Sequence, residues 1–401
     1  MVAKNPESFL SPGIRKDRLH FPSVDNGWEL WASSWKTRSD DLKTRGMFRT
    51  LGQHPESRFG HNDYLGLRRD PRIQDAVITA LEAGLPATSS GSRLLSGNLH
   101  LFQRFEAQFA KAAGFPAALL FASASEANRA AICAMVDRHD VVIHDALAHA
   151  SLIDGIVHSG AKRRKFAHND PDDLRAQLKS SGGRVRLVVT ESIFSMDGDV
   201  APLFALHQVC KEEGALLLVD EAHAVGLFGE HKTGIGEEIP KDSTFIGTTQ
   251  GFGKGLASAG GILCTVPEVI EAIVNTSRAF IFTTAPSPLA IAAAKEAWEI
   301  SQTDTARRDH LESLCKQFET GLKALGWPIS PREISTPIFP LMCGGLDASV
   351  QTSAKLSEHG IFMRPIRPPT VPPGTERLRA TITADLVSSD LEEFLKVLQN
   401  V

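Results

Sequence analysis

The sequence predicts an α/β protein: a large domain built on a mostly parallel sheet, with a polar arm before it and a smaller C-terminal α+β domain after it. Three observations carry that prediction. Short apolar runs at Ala117–Phe121, 141–144, 184–190 and 216–219 alternate with helical patterns, the order that yields parallel strands joined by helices on both faces. Polar residues stand just past several of these runs, at the carboxyl edge where open α/β sheets take their ligands. After Pro286 and Pro288 the pattern changes to a long helical stretch, 289–325, with two short strands near 338–342 and 377–383.

The expected division is therefore an arm over 1–58, a large domain over 59–285 and a small domain over 286–401. The arm is polar, contains Pro6, Pro12, Pro22 and Pro55, and shows one helix-like piece near 39–50. HNDYLGL, 61–67, holds the chain's single tyrosine, Tyr64, and its Asn62 and Asp63 favour a turn before a helix start. Apolar spacing predicts helices over 71–83 and 101–113. SSGSRLLSG, 89–97, interrupts them with small residues and Arg93, a loop that is either mobile or shaped around a ligand. The strand at 117–121 runs into a helix start at 122–128, where backbone N–H groups and the hydroxyls of Ser123 and Ser125 suit a phosphate. Near the end, period-2 alternation puts Arg377 and Arg379 on one strand face, where one grips a carboxylate or both meet solvent.

The chemistry is expected at GTTQGFGKGLASAGG, 247–261, which encloses Lys254 in small residues. Gly253 and Gly255 let a planar ligand approach the backbone, and a lysine in an apolar pocket loses its proton and becomes a nucleophile. Nucleotide loops do not fit: Gly251, Gly253 and Gly255 are spaced G-x-G-x-G, and Gly255 stands where a P-loop needs Ser or Thr. A Gly-rich turn with a surface lysine is the plain alternative. Upstream, LLLVDEAH reads as a buried strand ending at Asp220, with His223 close behind. Lysine, aspartate and histidine in this order match the three handles of pyridoxal phosphate: a Schiff-base lysine, a partner for the pyridinium nitrogen and a partner for the phenolic oxygen. His149 and Ser195, each just past a strand, extend the cluster.

Composition narrows the class. The 401 residues are 42% hydrophobic and 22% charged with a formal net charge of −4, so no global field draws the chain to nucleic acid or to an anionic membrane. The basic run Lys162, Arg163, Arg164 and Lys165 reads as a solvated loop face or as a patch that steers an anionic thioester. Five cysteines without a C-x-x-C pair argue for free thiols in a reducing, cytoplasmic setting and against a metal site. No run approaches the length of a membrane span.

The segments HNDYLGL, SGSRLLSGN, HASLIDG, FAHND, TESIFSMDGD, VDEAHAVGLFG, GFGKG and RPPTVPPGTERLR together resemble the pyridoxal-phosphate α-oxoamine synthases, over almost the whole chain beyond the arm. The resemblance implies the fold type I architecture of pyridoxal-phosphate transferases and a homodimer with shared active sites. It implies Lys254 as Schiff-base lysine, Asp220 at the pyridinium nitrogen, His223 at the phenolic oxygen, His149 stacked on the ring and Ser195 beside it. Ser123, Ala124, Ser125 and Thr249 would lie at the phosphate, and Thr283 or Thr284 would reach the phosphate of the neighbouring subunit. Arg379 would hold the amino acid's carboxylate, with Asn62 near it, and the family's N-terminal arginine is replaced by Lys43 or displaced to Arg45 or Arg49. Ala124 and Ser125 stand where the family has glycine and an aromatic, and Gly251 where it has threonine.

The activity so implied joins L-alanine to a pimeloyl thioester, carried on CoA or on a carrier protein, with loss of carbon dioxide. Other amino acids or acyl chains, an aminotransferase of the same fold, and an inactive cofactor-binding partner subunit stay open. Retention of Lys254, Asp220, His223 and His149 together argues against the last.

Overall fold

Seven strands form the central sheet of this computed structural model, which describes residues 27–51, 57–329 and 332–400. They are β1 (Ala117–Phe121), β2 (Val141–Asp145), β3 (Lys162–Phe166), β4 (Arg186–Glu191), β5 (Leu216–Asp220), β6 (Phe245–Gly251) and β7 (Gly261–Thr265). Their spatial order is β1-β7-β6-β5-β4-β2-β3, and only β7 runs against the rest.

Alternation along the strands explains why two helical layers cover the sheet. Leu217 and Val219 of β5 belong to one apolar core and Leu218 to the other; on β4, Val188 faces the first core while Leu187 and Val189 face the second. A pleated strand sends successive side chains to opposite faces, so a strand apolar at every position must be buried on both. Each such side chain, fully buried, contributes about 1.5–3 kcal/mol. The second core is closed by α4 (Ala124–Met135), α5 (Ala150–Ser159) and α8 (Pro267–Thr276). The first is closed by helices that include α3 (His100–Ala112), α6 (Pro171–Ser180), α7 (Leu203–Glu213), α10 (Pro288–Thr303) and α11 (Thr305–Ala324).

A second, two-stranded sheet pairs β8 (Ile338–Met342) with β9 (Arg377–Thr381), antiparallel. Helix α13 (Ser388–Leu398) lies on the same core, where Phe394 stacks on Phe59 and Phe318.

Several expectations change. The helical piece placed near 39–50 is α1, Gly27–Thr44; it stops because Gly46 takes a φ of 62° and Met47 N–H turns back to Leu42 O at 2.7 Å. The arm's four prolines lie outside the described residues. The chain divides into two compact units, Met1–Gln53 and His54–Val401, so the boundary drawn at 286 does not separate a third. The reason is α10, which packs on α2 (Pro71–Glu82) and α3 and so belongs to the large body. The helical stretch 289–325 is two helices, because Asp304 caps α11 by accepting from Arg307 N–H at 3.2 Å. The basic run 162–165 is strand β3 at the sheet's edge, not a loop; charged side chains there discourage pairing with another strand.

Candidate active site

Adjacent parallel strands end in register at the sheet's carboxyl edge, and their last residues are acidic. Asp145 closes β2, Glu191 closes β4 and Asp220 closes β5, with Glu191 directly opposite Asp220. Asp145 is spent on structure: it accepts from Leu147 N–H at 2.7 Å and Asn169 N–H at 2.9 Å and meets His168 at 2.8 Å. Burial works against the His168 cation, yet its bonds to Asp145 and Asp199 raise its pKa to about 10. The FAHND segment is thus a charged latch between loops.

Asp220 is aimed by a buried polar chain. Its Oδ1 accepts from Ala222 N–H at 2.9 Å and its Oδ2 from Asn128 Nδ2 at 2.6 Å. Asn128 also donates to Ser151 Oγ at 2.9 Å and accepts from Thr249 Oγ1 at 2.6 Å. Ser151 in turn meets His149 Nδ1 at 2.8 Å. Thr249, expected at a phosphate, therefore gives its proton to Asn128. His149 caps α5 and is held by Ser151 while its ring stays exposed.

Lys254 rides on the loop between β6 and β7, closed at its base by Phe252 N–H to Gly260 O at 3.0 Å. Burial lowers the lysine's pKa, against the pull of Asp220 and Glu191 and with the push of Arg379. The two glycines flanking the lysine differ in what surrounds them. A Cβ on Gly253 would meet nothing closer than 3.6 Å, and one on Gly255 would strike the chain's own Val225 carbonyl at 2.3 Å. Beside the lysine, Glu191 is almost wholly buried and its Oε1 has no partner; burial and Asp220 drive its pKa well above the usual range.

His223 joins the cofactor side to the small sheet. Its Nδ1 lies 2.6 Å from Tyr64 Oη, and burial together with Lys254, Arg379 and His149 holds its pKa well below the usual value. Arg379 on β9 donates to Asn62 Oδ1 at 2.9 Å, to Ser195 O at 2.5 Å and to Thr381 Oγ1 at 2.9 Å. Among the described residues no carboxylate pairs with Arg379, whereas Arg377 on the same strand is neutralised by Asp197. Of the two arginines, Arg379 is the one left to bind an anion. Asn62 and Asp63 lie in the expected turn ahead of α2, where Asp63 folds the loop by accepting from Leu67 N–H at 2.8 Å and Arg68 N–H at 3.0 Å, while Asp70 is the residue that caps the helix.

The start of α4 lies at the same edge. Ser123 caps the helix by accepting from Glu126 N–H at 3.2 Å, and the N–H groups of Ala124 and Ser125 have no carbonyl within the helix to bond. The three departures from the family pattern interlock in part: a Cβ on Gly251 would come within 3.2 Å of Ala124 Cβ and 3.1 Å of Ala222 Cβ. The alanine methyl fills space that a side chain at 251 would need. Thr283 is half-buried and Thr284 exposed, away from any partner that the described residues supply except the Thr284 carbonyl, 3.4 Å from Thr283 Oγ1. Arg93 is not placed for a ligand: it forms a two-pronged pair with buried Glu106 at 2.7 and 3.0 Å, which fastens the Ser/Gly loop. Lys43 ends α1 and pairs with Asp40 at 3.1 Å. A cavity of about 790 Å³ beside His168, Asp199 and Arg332 is lined by none of Lys254, Asp220 or His223.

The arrangement fits pyridoxal phosphate. A fixed carboxylate, a neutral imidazole and a lysine of lowered pKa share one edge with a helix start whose first N–H groups have no carbonyl within the helix to bond. The chain belongs to the aminotransferase class I and II family, which its sequence matches over residues 56–398. It is 41% identical over 327 residues to the 8-amino-7-oxononanoate synthase of Alkalilimnicola ehrlichii, covering 81% of this chain and 83% of that one. It is 40% identical over 344 residues to the enzyme of the same name from Anaeromyxobacter dehalogenans, covering 85% of each. Among solved structures, a serine palmitoyltransferase from S. paucimobilis with bound PLP-myriocin aldimine superposes with a TM-score of 0.84 at 26% identity, covering 94% of this chain and 98% of that one. An 8-amino-7-oxononanoate synthase from Francisella tularensis superposes with a TM-score of 0.73 at 25% identity, covering 85% and 96%.

Sequence reading missed Asn128, Ser151, Tyr64 and Glu191. Asn128 left one signal, a polar residue among Ala127, Ala130, Ala131 and Ile132 on the buried face of α4. Tyr64 left another, as a lone hydroxyl among aromatic residues that are otherwise mostly phenylalanine.

Proposed function

We propose that this chain is a pyridoxal-phosphate-dependent acyltransferase that condenses L-alanine with a pimeloyl thioester, releasing carbon dioxide, the free thiol and 8-amino-7-oxononanoate. The observation that carries the reading is Arg379, a half-buried guanidinium with no carboxylate partner among the described residues, set beside Tyr64 and Asn62 and within electrostatic reach of Lys254. The names of the relatives at about 40% identity support the choice of substrates.

Asp220 would hold the cofactor's ring nitrogen, His223 its phenolic oxygen, His149 its face, Lys254 its carbonyl carbon, and Ser123, Ala124 and Ser125 its phosphate. When bound, pyridoxal phosphate supplies an electron sink conjugated to the amino acid's α-carbon. Asn128 and Ala222 N–H keep Asp220 pointed at one place, so its charge is available without reorganisation. Arg379 binds the substrate carboxylate and orients the α-hydrogen. Lys254, with its lowered pKa, presents a neutral amine that takes that proton on Nζ. A carbon–carbon bond then forms between the α-carbon and the acyl carbon as the carbon–sulfur bond breaks and the thiolate leaves; the bond to the carboxylate carbon breaks to release carbon dioxide, and the proton on Lys254 Nζ returns to the α-carbon.

A homodimer with shared sites is part of the proposal. The loops 89–97 and 282–286 are tied together by Ala285 N–H to Gly91 O at 2.9 Å and Ser89 Oγ to Pro286 O at 2.9 Å. They expose Leu95, Leu94 and Phe282 beside Thr284, an apolar surface suited to a second copy whose phosphate site Thr283 or Thr284 would complete. The acyl donor is carried on CoA or a carrier protein. Five free cysteines support a cytoplasmic location.

The likeness to serine palmitoyltransferase favours one alternative, the same chemistry with L-serine and a longer acyl chain. Mass spectrometry decides between them. Protein with pyridoxal phosphate is given L-alanine, glycine and L-serine in competition against a mixed acyl-CoA pool that includes pimeloyl-CoA and palmitoyl-CoA. A dominant amino ketone from alanine and pimeloyl-CoA is expected; a serine and palmitoyl product would replace the substrate assignment, and keto-acid-dependent turnover without thioester would replace the reaction.

A further inference from the structure

Tyr64 is the chain's only tyrosine, and its side chain is completely buried. Phenylalanine, used 21 times in this sequence, would fill the same volume. What distinguishes Tyr64 is therefore its hydroxyl and what the hydroxyl touches. It lies 2.6 Å from His223 Nδ1, 3.4 Å from Arg379 Nη2 and 3.4 Å from Asn62 Oδ1.

The donors and acceptors can be assigned from their chemistry. A guanidinium only donates, so Arg379 occupies a lone pair of the phenol oxygen. The phenol has one proton and two candidate acceptors. Asn62 Oδ1, at 3.4 Å, is the longer contact and already accepts from Arg379 Nη1 at 2.9 Å, whereas His223 Nδ1 is at short hydrogen-bond distance. The phenol proton therefore goes to Nδ1. Burial keeps that proton on the phenol, raising the Tyr64 pKa against the pull of Arg379, and keeps the imidazole neutral. A neutral imidazole that accepts at Nδ1 carries its own proton on Nε2.

The backbone holds this geometry from two sides. Tyr64 N–H bonds Asn62 O at 2.9 Å, and Ala384 N–H, just beyond β9, bonds Tyr64 O at 2.9 Å. The loop that carries the phenol is thus tied to the segment that follows the strand carrying Arg379.

We propose that Tyr64 is a positioning residue: it fixes the proton of His223 on Nε2, where the ring can donate to a bound ligand, and it links that placement to the occupancy of Arg379. A carboxylate drawn to Arg379 competes for the N–H groups that now reach Tyr64 and Asn62. The change passes through the phenol to His223 Nδ1. The clause about Arg379 rests on the proposed function; the tautomer does not, because no substrate enters its measurement.

The test uses cofactor-free full-length protein labelled with ¹⁵N-histidine, read by long-range ¹H–¹⁵N NMR, with His223→Gln identifying the His223 signals. In the parent, Nδ1 is expected as an unprotonated acceptor and Nε2 as protonated, and L-alanine shifts the Nδ1 resonance. In Tyr64→Phe, which keeps the ring's volume, both tautomers are expected and L-alanine leaves the His223 signals in place. A protonated Nδ1 in the parent overturns the proposal; that readout is taken on the parent protein, with His223→Gln needed only to assign the signal. So does a Tyr64→Phe protein whose His223 signals match the parent's. If the tautomer result holds while the product assay fails for alanine, only the substrate reading falls.

Discussion

Asn128 Nδ2 stands 2.6 Å from Asp220 Oδ2, so a helix covering one face of the sheet holds the carboxylate at the end of its central strand. The amide is shared, since Asn128 also serves Ser151 and receives Thr249, and one residue thereby couples the carboxylate to His149.

Asn128→Ala should loosen Asp220 without touching any ligand. Loss of a hydrogen bond to a charged group costs about 1.5–3 kcal/mol, so cofactor affinity should fall roughly tenfold to a hundredfold. Titrating cofactor-free protein with pyridoxal phosphate by fluorescence quenching reads this directly. An unchanged affinity would show that Asp220 does not depend on Asn128.

Lys254 and Glu191 should give opposite pH slopes in thermal melts of the cofactor-free protein. In the folded chain Lys254 loses its proton below the ordinary 10.5, because burial disfavours the cation. Between the lowered value and 10.5 the unfolded chain binds the extra proton, so stability rises with pH. Lys254→Met should melt above the parent near neutral pH, with the gap closing as pH nears 10.5. A gap that stays constant with pH would remove the lysine from this account.

Glu191 keeps its proton in the folded chain well above the ordinary 4.5, chiefly because it is buried. From 4.5 upward the unfolded chain has lost a proton that the folded one retains, so stability falls as pH rises. Glu191→Gln, close in shape to the protonated acid, should gain on the parent as pH climbs from 4.5 towards neutrality. A variant less stable than the parent at pH 7 would mean that the charged carboxylate is the form the fold prefers.

Gly251 and Ala124 should behave as a coupled pair. Gly251→Ala places a methyl within 3.2 Å of Ala124 Cβ and 3.1 Å of Ala222 Cβ, and such overpacking costs about 1–3 kcal/mol. Adding Ala124→Gly frees one of the two contacts, so the double variant should recover part of the loss. Urea denaturation of both single variants and the double gives the coupling; strict additivity would mean the methyls never meet.

Arg93→Met should cost about 3–5 kcal/mol in the same assay, because it strands the buried Glu106 carboxylate. Glu106 also accepts from Leu120 N–H on β1 at 2.8 Å, so the damage reaches the sheet. A loss below 1 kcal/mol would show that the pair is solvated.

Strands β1, β2, β4 and β5 were legible because their apolar runs are short, continuous and bounded by turns, as doubly covered strands permit, whereas the edge strand β3 is basic and was read as a loop face. β7 was missed because it begins at Gly261, the last residue of the glycine-rich stretch that was read for its lysine, and its run of four further residues is short. The start of α1 was missed because the arm is polar and its Trp28, Trp31 and Trp35 fall at helical spacing on a face left exposed. The pairing of Arg93 with Glu106 was not legible, because an arginine among flexible neighbours looks alike in sequence whether it meets solvent, a ligand or a buried glutamate.

Within the site, local order along the chain was enough to place residues at or just past strand ends: Asp220 closes β5, and His223, His149 and Lys254 each follow a strand within a few residues, at the edge that strand ends of a parallel sheet share. Partners distant in sequence were decided only by the tertiary structure. Asn128 meets Asp220 across 92 residues, Tyr64 meets His223 across 159 and Asn62 meets Arg379 across 317. Nothing local favours those pairs, since hydrogen bonds between separated segments exist only after the sheet and its covering helices have brought them together and excluded water. That burial also lowers the pKa of Lys254, a property its flanking glycines could not confer.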